Sequence, residues 1–250
     1  MSTLFQEGLT SKRLEVPGGE IAIYCSAWGE VNEDAAAVWT ASDAMLLAVA
    51  DGVGGAPRGE LASRTALETL RAQSKRETIE RSFELANEAV YKLRGPACTL
   101  VVAHIAAAEK DGIALTTLHA GDSQAMVVGG RGKLKHITTP HTVAGLGERA
   151  GLLEGEEAES HPERHVVTNA LGDKVVRMER ISWGTLASRD TVVLASDGLF
   201  DNFAADHVAS VMWGGVLLDR VNALAEATRA RMETEDGKPD DLTILAWRSR

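Results

Sequence analysis

The chain has 250 residues, 44% of them hydrophobic, which is enough apolar side chain for one sizeable core. Its formal net charge is −10, with 36 acidic against 26 basic residues, and this argues against nucleic acid or an anionic membrane as a partner recognised through bulk charge. Two cysteines, Cys25 and Cys98, cannot form a disulfide framework and read as buried free thiols. Met1–Thr10 has no basic region followed by an apolar stretch, and no apolar run approaches the ~20 residues of a membrane span. The expectation is a cytoplasmic protein with no membrane association.

After a polar start, Glu20–Ser26 and Ala35–Trp39 read as strands, separated by a turn carrying Glu30, Glu33 and Asp34. A third strand, Met45–Ala50, feeds the Gly-rich stretch Asp51–Gly55, and Pro57 suits the first turn of a following helix. Two helices are predicted, about Arg58–Gln73 and Glu77–Leu93. In the second, Ile79, Phe83, Ala86, Val90 and Leu93 make one apolar face, and Gly95-Pro96 ends it. Four closely spaced strands follow: Thr99–Ala106, Ile113–Ala120, Gln124–Val128 and Lys133–Thr138. Turns at Asp111-Gly112 and Gly129-Gly130 connect them, so the pairing is expected to be antiparallel. From His141 to Asn169 the chain is rich in Gly, Glu and His with little regular periodicity, which suits a flap over a site. Val175–Ser182 and Thr191–Ser196 resume the strand pattern. A helix over Asp206–Met232 has Asp206 as a candidate cap and Gly214-Gly215 as a candidate break, and Leu242–Trp247 is the closing strand.

Three of these apolar runs end on acids: Met45–Ala50 into Asp51-Gly52, Ile113–Ala120 into Gly121-Asp122, and Thr191–Ser196 into Asp197-Gly198. A fourth, Leu242–Trp247, begins just after Asp240-Asp241. An unpaired charge beside a core is costly, and carboxylates gathered on one rim repel one another unless cations neutralise them. Oxygen ligands on rigid strand ends suit Mn²⁺ or Mg²⁺, and the carbonyl of Gly52 can join them because glycine permits a close backbone approach. Asp197 and Asp201 lie four residues apart and share a side if a helical turn starts there. Zinc is disfavoured because His161 and His165 have no Cys or His partners at ligand spacing. Gly52–Gly55 lacks the Lys-Ser/Thr of a phosphate-binding loop, and no Gly-x-Ser-x-Gly elbow is present.

Seven blocks in order resemble the metal-dependent protein phosphatases of type 2C, in their compact bacterial form. They are Asn32-Glu33-Asp34, Ala50–Gly55 with Gly59 and Ala62-Ser63, Cys98-Thr99-Leu100, Gly121-Asp122-Ser123, Asn169-Ala170-Leu171-Gly172, Ser196-Asp197-Gly198-Leu199 and Asp240-Asp241-Leu242-Thr243. The resemblance covers about residues 20 to 248. It implies an α+β fold, a four-layer α-β-β-α sandwich with two central antiparallel sheets, as a single domain over residues 1–250 with a flap at about 141–170. It also implies hydrolysis of phosphoserine and phosphothreonine in proteins by water activated between two Mn²⁺ or Mg²⁺ ions.

Carried over by position, Asp51 is the ligand shared by both ions. Asp197 and Asp240 complete the first ion's ligands, while Glu33 and the Gly52 carbonyl serve the second. Asp34 acts in catalysis by orienting water, Asp122, Asp197 and Asp201 match a weaker third-metal site, and Glu148–His165 lie in the flap. The implied partners are a phosphorylated protein substrate and a cognate Ser/Thr kinase pathway, with a monomer expected.

Several positions depart from the family pattern. Gly29 stands where many members carry an Arg that grips the substrate phosphate, which leaves Lys12, Arg13 or Arg58 as candidates for that task. Val53 stands in place of a frequent His, Gln124 of an Arg, Pro140 of the Asp in Asp-His, and Asp241 of an Asn. Two rival readings follow from the pattern: a phosphatase dedicated to one regulator, such as a phosphorylated anti-sigma-factor antagonist, and a pseudophosphatase that binds phosphoprotein without turnover.

Overall fold

A computed structural model describes residues 2–5, 10–16, 18–41, 44–53, 58–108, 112–153, 157 and 161–249. The chain runs through β1 (Ser2–Phe5), β2 (Thr10–Val16), β3 (Gly19–Ser26), β4 (Ala35–Thr40) and β5 (Ala44–Ala50), then a helical pair, α1 (Gly59–Gln73) and α2 (Ile79–Tyr91). It continues through β6 (Leu100–Ala107), β7 (Ile113–Ala120), β8 (Gln124–Val128), β9 (Leu134–Ile137), α3 (Val143–Arg149), β10 (Glu179–Leu186) and β11 (Thr191–Ala195). Helices α4 (Asp197–Phe200), α5 (Ala205–Val211) and α6 (Leu217–Met232) precede β12 (Leu242–Ser249).

The strands form two six-stranded sheets, in the orders β1-β4-β5-β6-β7-β10 and β2-β3-β12-β11-β8-β9. Every pairing is antiparallel, as the short connections predict. The sheets bury their inner faces against each other through Ile21, Ile23, Leu47, Val49, Val101, Leu245 and Trp247. The outer face of the first sheet is covered by α1 and α2, with Leu67, Leu70, Phe83 and Val90 packed on Ala48, Leu100 and Val102. On the second sheet, Val208, Met212, Leu224 and Met232 pack against Val193, Ile244 and Ala246. Each central strand therefore has both faces buried, which is why these strands read as continuous apolar runs rather than alternating ones. The result is the expected α-β-β-α sandwich.

Four expectations need correction. The N-terminal region read as polar, yet it contributes β1 and β2. Strand β2 is an edge strand; over 11–16 it buries Leu14 and Val16 and leaves Ser11, Lys12, Arg13 and Glu15 in solvent, so its apolar signal there is confined to one end. Within the irregular 141–169 segment, α3 forms with Thr142 as its cap, the hydroxyl accepting from the Gly145 N–H at 3.1 Å. The strand expected at Val175–Ser182 starts only at Glu179, because the Asn169 side chain pairs with both the N–H and the carbonyl of Arg177 and holds that stretch off the sheet.

The helix expected over Asp206–Met232 is two helices, and Asp206 lies in the first turn of α5 while Ala204 occupies the cap. Gly214 and Gly215 break it with φ of 68° and 59°, a left-handed conformation that favours glycine. The buried Arg248 holds that break, donating to the carbonyls of Met212, Gly214 and Gly215 at 2.7, 3.2 and 2.9 Å. Gly54, Gly55, Pro57 and Asp111 lie outside the described residues. Cys25 and Cys98 are free and buried, as expected, and burial raises both thiols, Cys25 to about 11.

Candidate metal centre

The acids sit where strands stop. Asp51 follows β5, Asp122 follows β7, Asp197 follows β11 and opens α4, Asp240 and Asp241 lead into β12, and Glu33 and Asp34 lead into β4. Because β4, β5 and β7 belong to one sheet and β11 and β12 to the other, the strand ends meet along one rim of the sandwich.

The deep part of this basin is electrostatically unbalanced. Asp34 is wholly buried; Ser196 Oγ donates to its Oδ2 at 2.7 Å, and its Oδ1 has no hydrogen-bond partner. Asp51 is buried, and its carboxyl is pushed well above the usual range, first by burial and then by the charges of Asp34, Asp197, Asp122 and Asp240. Asp197 is raised in the same way by burial and then by Asp122, Asp240 and Asp201, and its Oδ1 is also buried without a partner. Burial lifts Asp34 and Asp122 to about 7 each, with further repulsion from Asp241 on the first and Asp201 on the second. Charges taken out of water and set against like charges favour protonation or a cation.

The Asp201 corner is different. Its Oδ2 accepts from Lys238 Nζ at 3.1 Å and lies 2.9 Å from His165 Nδ1, and Arg164 donates to its backbone carbonyl at 3.4 Å. Its carboxyl rises only to about 6, burial being opposed by Arg164. His165 thus turns toward an acid, while His161 Nδ1 accepts from the Glu163 N–H at 3.1 Å, so the two do not form a ligand pair.

On the opposite side, Asp241 organises the loop that carries Glu33. Its Oδ2 accepts from the Glu33 N–H at 2.6 Å and its Oδ1 from the Trp28 N–H at 2.7 Å. Arg229 closes the same loop by donating to the carbonyls of Ser26, Ala27 and Asp240 at 2.6, 3.2 and 3.1 Å, with its guanidinium 5.6 Å from the Trp28 ring centre. Gly52 and Gly59 let the backbone come close to Glu33. A Cβ on Gly52 would lie 2.6 Å from Gly59 backbone atoms, and one on Gly59 would lie 2.8 Å from Glu33 Oε1. Burial raises the Glu33 carboxyl, with a Gly59 backbone hydrogen bond opposing it, and burial likewise raises the more exposed Asp240.

The structure therefore brings Glu33, Asp34, Asp51, Gly52, Asp122, Asp197, Asp201 and Asp240 to one basin. Its donors are all oxygen, two of its buried oxygens have no partner, and its charges repel, so the residues fit hard divalent cations. Of the bases considered for phosphate, Arg13 is tied to Glu15 and Glu20, each at 2.7 Å. Arg58 instead stands at the start of α1 beside Gly59, exposed and with φ of 61°. Nothing lies within 4 Å of where a Gly29 Cβ would be.

The sequence places Asp241 in the acidic pair before β12 and in the seventh matching block, where it departs from a frequent Asn, but shows neither its role in the loop nor that of Arg229. Nor does it show a second cluster. Among the described residues, the group of three whose ligand atoms all lie within 4.8 Å of one another is His119, His141 and Glu179, outside the basin. In this trio His119 Nε2 lies 3.0 Å from the Thr139 carbonyl while its Nδ1 is buried without a partner, and His141 is held at both nitrogens. Asn169 pairs with both polar backbone groups of Arg177, which fixes its amide and directs Nδ2–H onto His141 Nδ1 at 2.8 Å, where the Gly121 N–H also donates at 3.3 Å. The His141 proton is thereby placed on Nε2, facing Glu179 Oε2 at 3.2 Å, so that nitrogen has no lone pair for a metal.

Residues 24–234 match the family model described as Protein phosphatase 2C. Protein phosphatase PhpP of Streptococcus pneumoniae is 27% identical over 217 residues, which cover 80% of this chain and 83% of that protein. Serine/threonine protein phosphatase PstP of Mycobacterium tuberculosis is 27% identical over 218 residues, covering 81% of this chain and 40% of that longer protein. Among solved structures, serine/threonine phosphatase Stp1 from Staphylococcus aureus superposes with a TM-score of 0.79 at 22% identity, covering 98% of both chains. The catalytic domain of PstP in complex with two manganese ions has a TM-score of 0.67 at 23% identity, covering 99% of both chains. These two likenesses concern the fold.

Proposed function

The chain belongs to the protein phosphatase 2C family, and from that premise we propose which of its residues perform the family's reaction, the metal-dependent hydrolysis of phosphoserine and phosphothreonine in proteins. The observation that carries the assignment is the mutually repelling set of buried Asp34, Asp51 and Asp122 with half-buried Asp197, in which Asp34 Oδ1 and Asp197 Oδ1 are buried and unpartnered. Asp51 would serve both of two Mn²⁺ or Mg²⁺ ions. Asp197 and Asp240 would complete one set, Glu33 and the Gly52 carbonyl the other, and Asp122, Asp197 and Asp201 would hold a weaker third ion. When bound, such ions neutralise the carboxylates and lower the pKa of the water that attacks phosphorus.

The chain's own groups set the geometry of attack. Ser196 fixes Asp34 through Oδ2 and leaves Oδ1 to orient a water. Asp241 and Arg229 hold the Trp28–Glu33 loop so that the Glu33 carboxylate faces Gly59 and Gly52. Arg58 meets the substrate phosphate in place of the Arg missing at Gly29.

In the cell we place this activity in one catalytic domain over residues 1–250, monomeric and cytoplasmic, opposing a Ser/Thr kinase in a bacterial circuit. The bacterial origin of PhpP and PstP supports the circuit, and among the described residues no helix is long and apolar enough to cross a membrane. All the proposed ligand positions keep an oxygen donor, which disfavours a relative that binds without turnover. The test is hydrolysis of a phosphothreonine peptide by wild type with Mn²⁺, wild type with chelator, and Asp197→Asn with Mn²⁺. Turnover only in the first supports the assignment; equal rates in all three overturn it.

A further inference from the structure

A cavity of about 540 Å³ opens directly off the basin. Asp122, Asp197 and Asp201 are the walls it shares with the candidate metal centre, α3 and the Thr138–Pro140 stretch line it from the flap side, and Phe200–Ala205 line the other wall together with Arg231. A phosphorylated side chain entering the basin would leave its neighbouring residues over this space.

The charges along the walls are not equivalent. Asp201 accepts from Lys238, with the His165 ring beside it, while Arg164 donates only to the Asp201 backbone carbonyl at 3.4 Å, and Glu148 of α3 stands as an exposed carboxylate on the facing wall. Arg231 is exposed, and its guanidinium stands 5.7 Å from the centre of the Phe203 ring, which is stacked in turn on His207 at 4.5 Å. Among the described residues no carboxylate forms an ion pair with Arg231. An aromatic ring beneath a guanidinium restricts its rotamers while leaving its N–H edge free, which reduces the entropy lost when it binds a carboxylate. Cations in the basin would absorb the charge of Asp122 and Asp197, leaving Arg231 as the cation of the Phe200–Ala205 wall, across the cavity from Glu148.

We propose that this cavity is a substrate subsite in which Arg231, mounted on Phe203, selects phosphoprotein segments carrying an acidic side chain close to the phosphorylated residue. The proposal rests on the phosphatase reading above and adds a substrate class to it.

The test compares two phosphothreonine peptides that differ only in flanking Asp or Ala residues, with p-nitrophenyl phosphate as a substrate too small to reach the cavity wall. Wild type with Mn²⁺ should favour the acidic peptide in kcat/KM by about two- to fivefold, the scale of one exposed charge pair. Arg231→Gln should bring that ratio close to one, mainly through KM, and Arg231→Glu should favour a peptide with flanking Arg. Peptide turnover with no preference in wild type, or a preference that survives in Arg231→Gln, overturns the subsite and leaves the phosphatase assignment standing. Absence of turnover on every substrate, p-nitrophenyl phosphate included, overturns the assignment and the subsite with it.

Discussion

The deep floor of the basin and its Asp201 corner hold the same kind of side chain in opposite states of balance. On the floor, Asp34, Asp51 and Asp197 sit at the ends of buried strands, and Asp34 and Asp197 each keep an oxygen without a partner. At the corner, Lys238 and His165 already face Asp201. The floor is thus built to be completed by something absent from the polypeptide, whereas the corner is largely completed by the polypeptide itself. A carboxylate's demand for a cation depends less on its identity than on what the fold has already given it.

Breaking the floor should have the largest effect. Asp197→Asn is expected to lower kcat by about 1000-fold or more, and also to raise the melting temperature of the metal-free protein, because it removes a buried charge that lacks compensation. Asp201→Asn should lower activity far less, about tenfold or below, and should not stabilise the metal-free protein, since it strands Lys238 and His165. Activity assays and calorimetry on both variants measure the contrast. Equal losses, or a destabilised metal-free Asp197→Asn, would erase it.

Next in size is the response to pH. Asp34 and Asp122 titrate near 7 and Asp201 near 6, all raised above their ordinary values. A raised carboxyl binds a proton in the folded chain that the unfolded chain has released. Its stabilising contribution is therefore complete below about pH 4 and is lost as pH rises through the folded value. Melting temperatures of the metal-free protein should fall between about pH 5 and 7.5, and saturating Mn²⁺ should flatten or reverse that slope. An unchanged slope with Mn²⁺ would count against cations on the floor.

Smaller effects belong to the groups that hold the loop. Asp241→Ala removes the acceptor for the Glu33 and Trp28 N–H groups and should weaken Mn²⁺ activation by about tenfold, the scale of outer ligand support. Arg58→Ala should raise KM several-fold with little change in kcat, as loss of uniform phosphate binding predicts. Titration of activity against Mn²⁺ and against substrate separates the two.

What the sequence made legible was what local order encodes. Asp51, Asp122 and Asp197 each end an apolar run, so the burial of the run and the charge at its tip could be read together. Glu33 and Asp34 took their meaning from the order of the seven blocks. The role of Asp241 could not be read this way, because its partners Trp28 and Glu33 lie more than 200 residues away and only strand pairing brings them together. The same holds for His141, whose tautomer is set by Asn169 and through it by the backbone of Arg177. Strand β2 escaped notice for a different reason, since an edge strand with one buried end has little periodicity to show.

The place of β12 in its sheet has a consequence for how the molecule forms. It lies between β3 and β11, so the last strand in chain order completes the middle of a sheet rather than its edge. The Glu33–Asp241 hydrogen bond closes a loop of 208 residues, and Asp240 arrives with the same strand. Pairings this distant in sequence make for slow assembly. The carboxylate floor is therefore complete only when β12, the last strand in chain order, has joined the middle of its sheet.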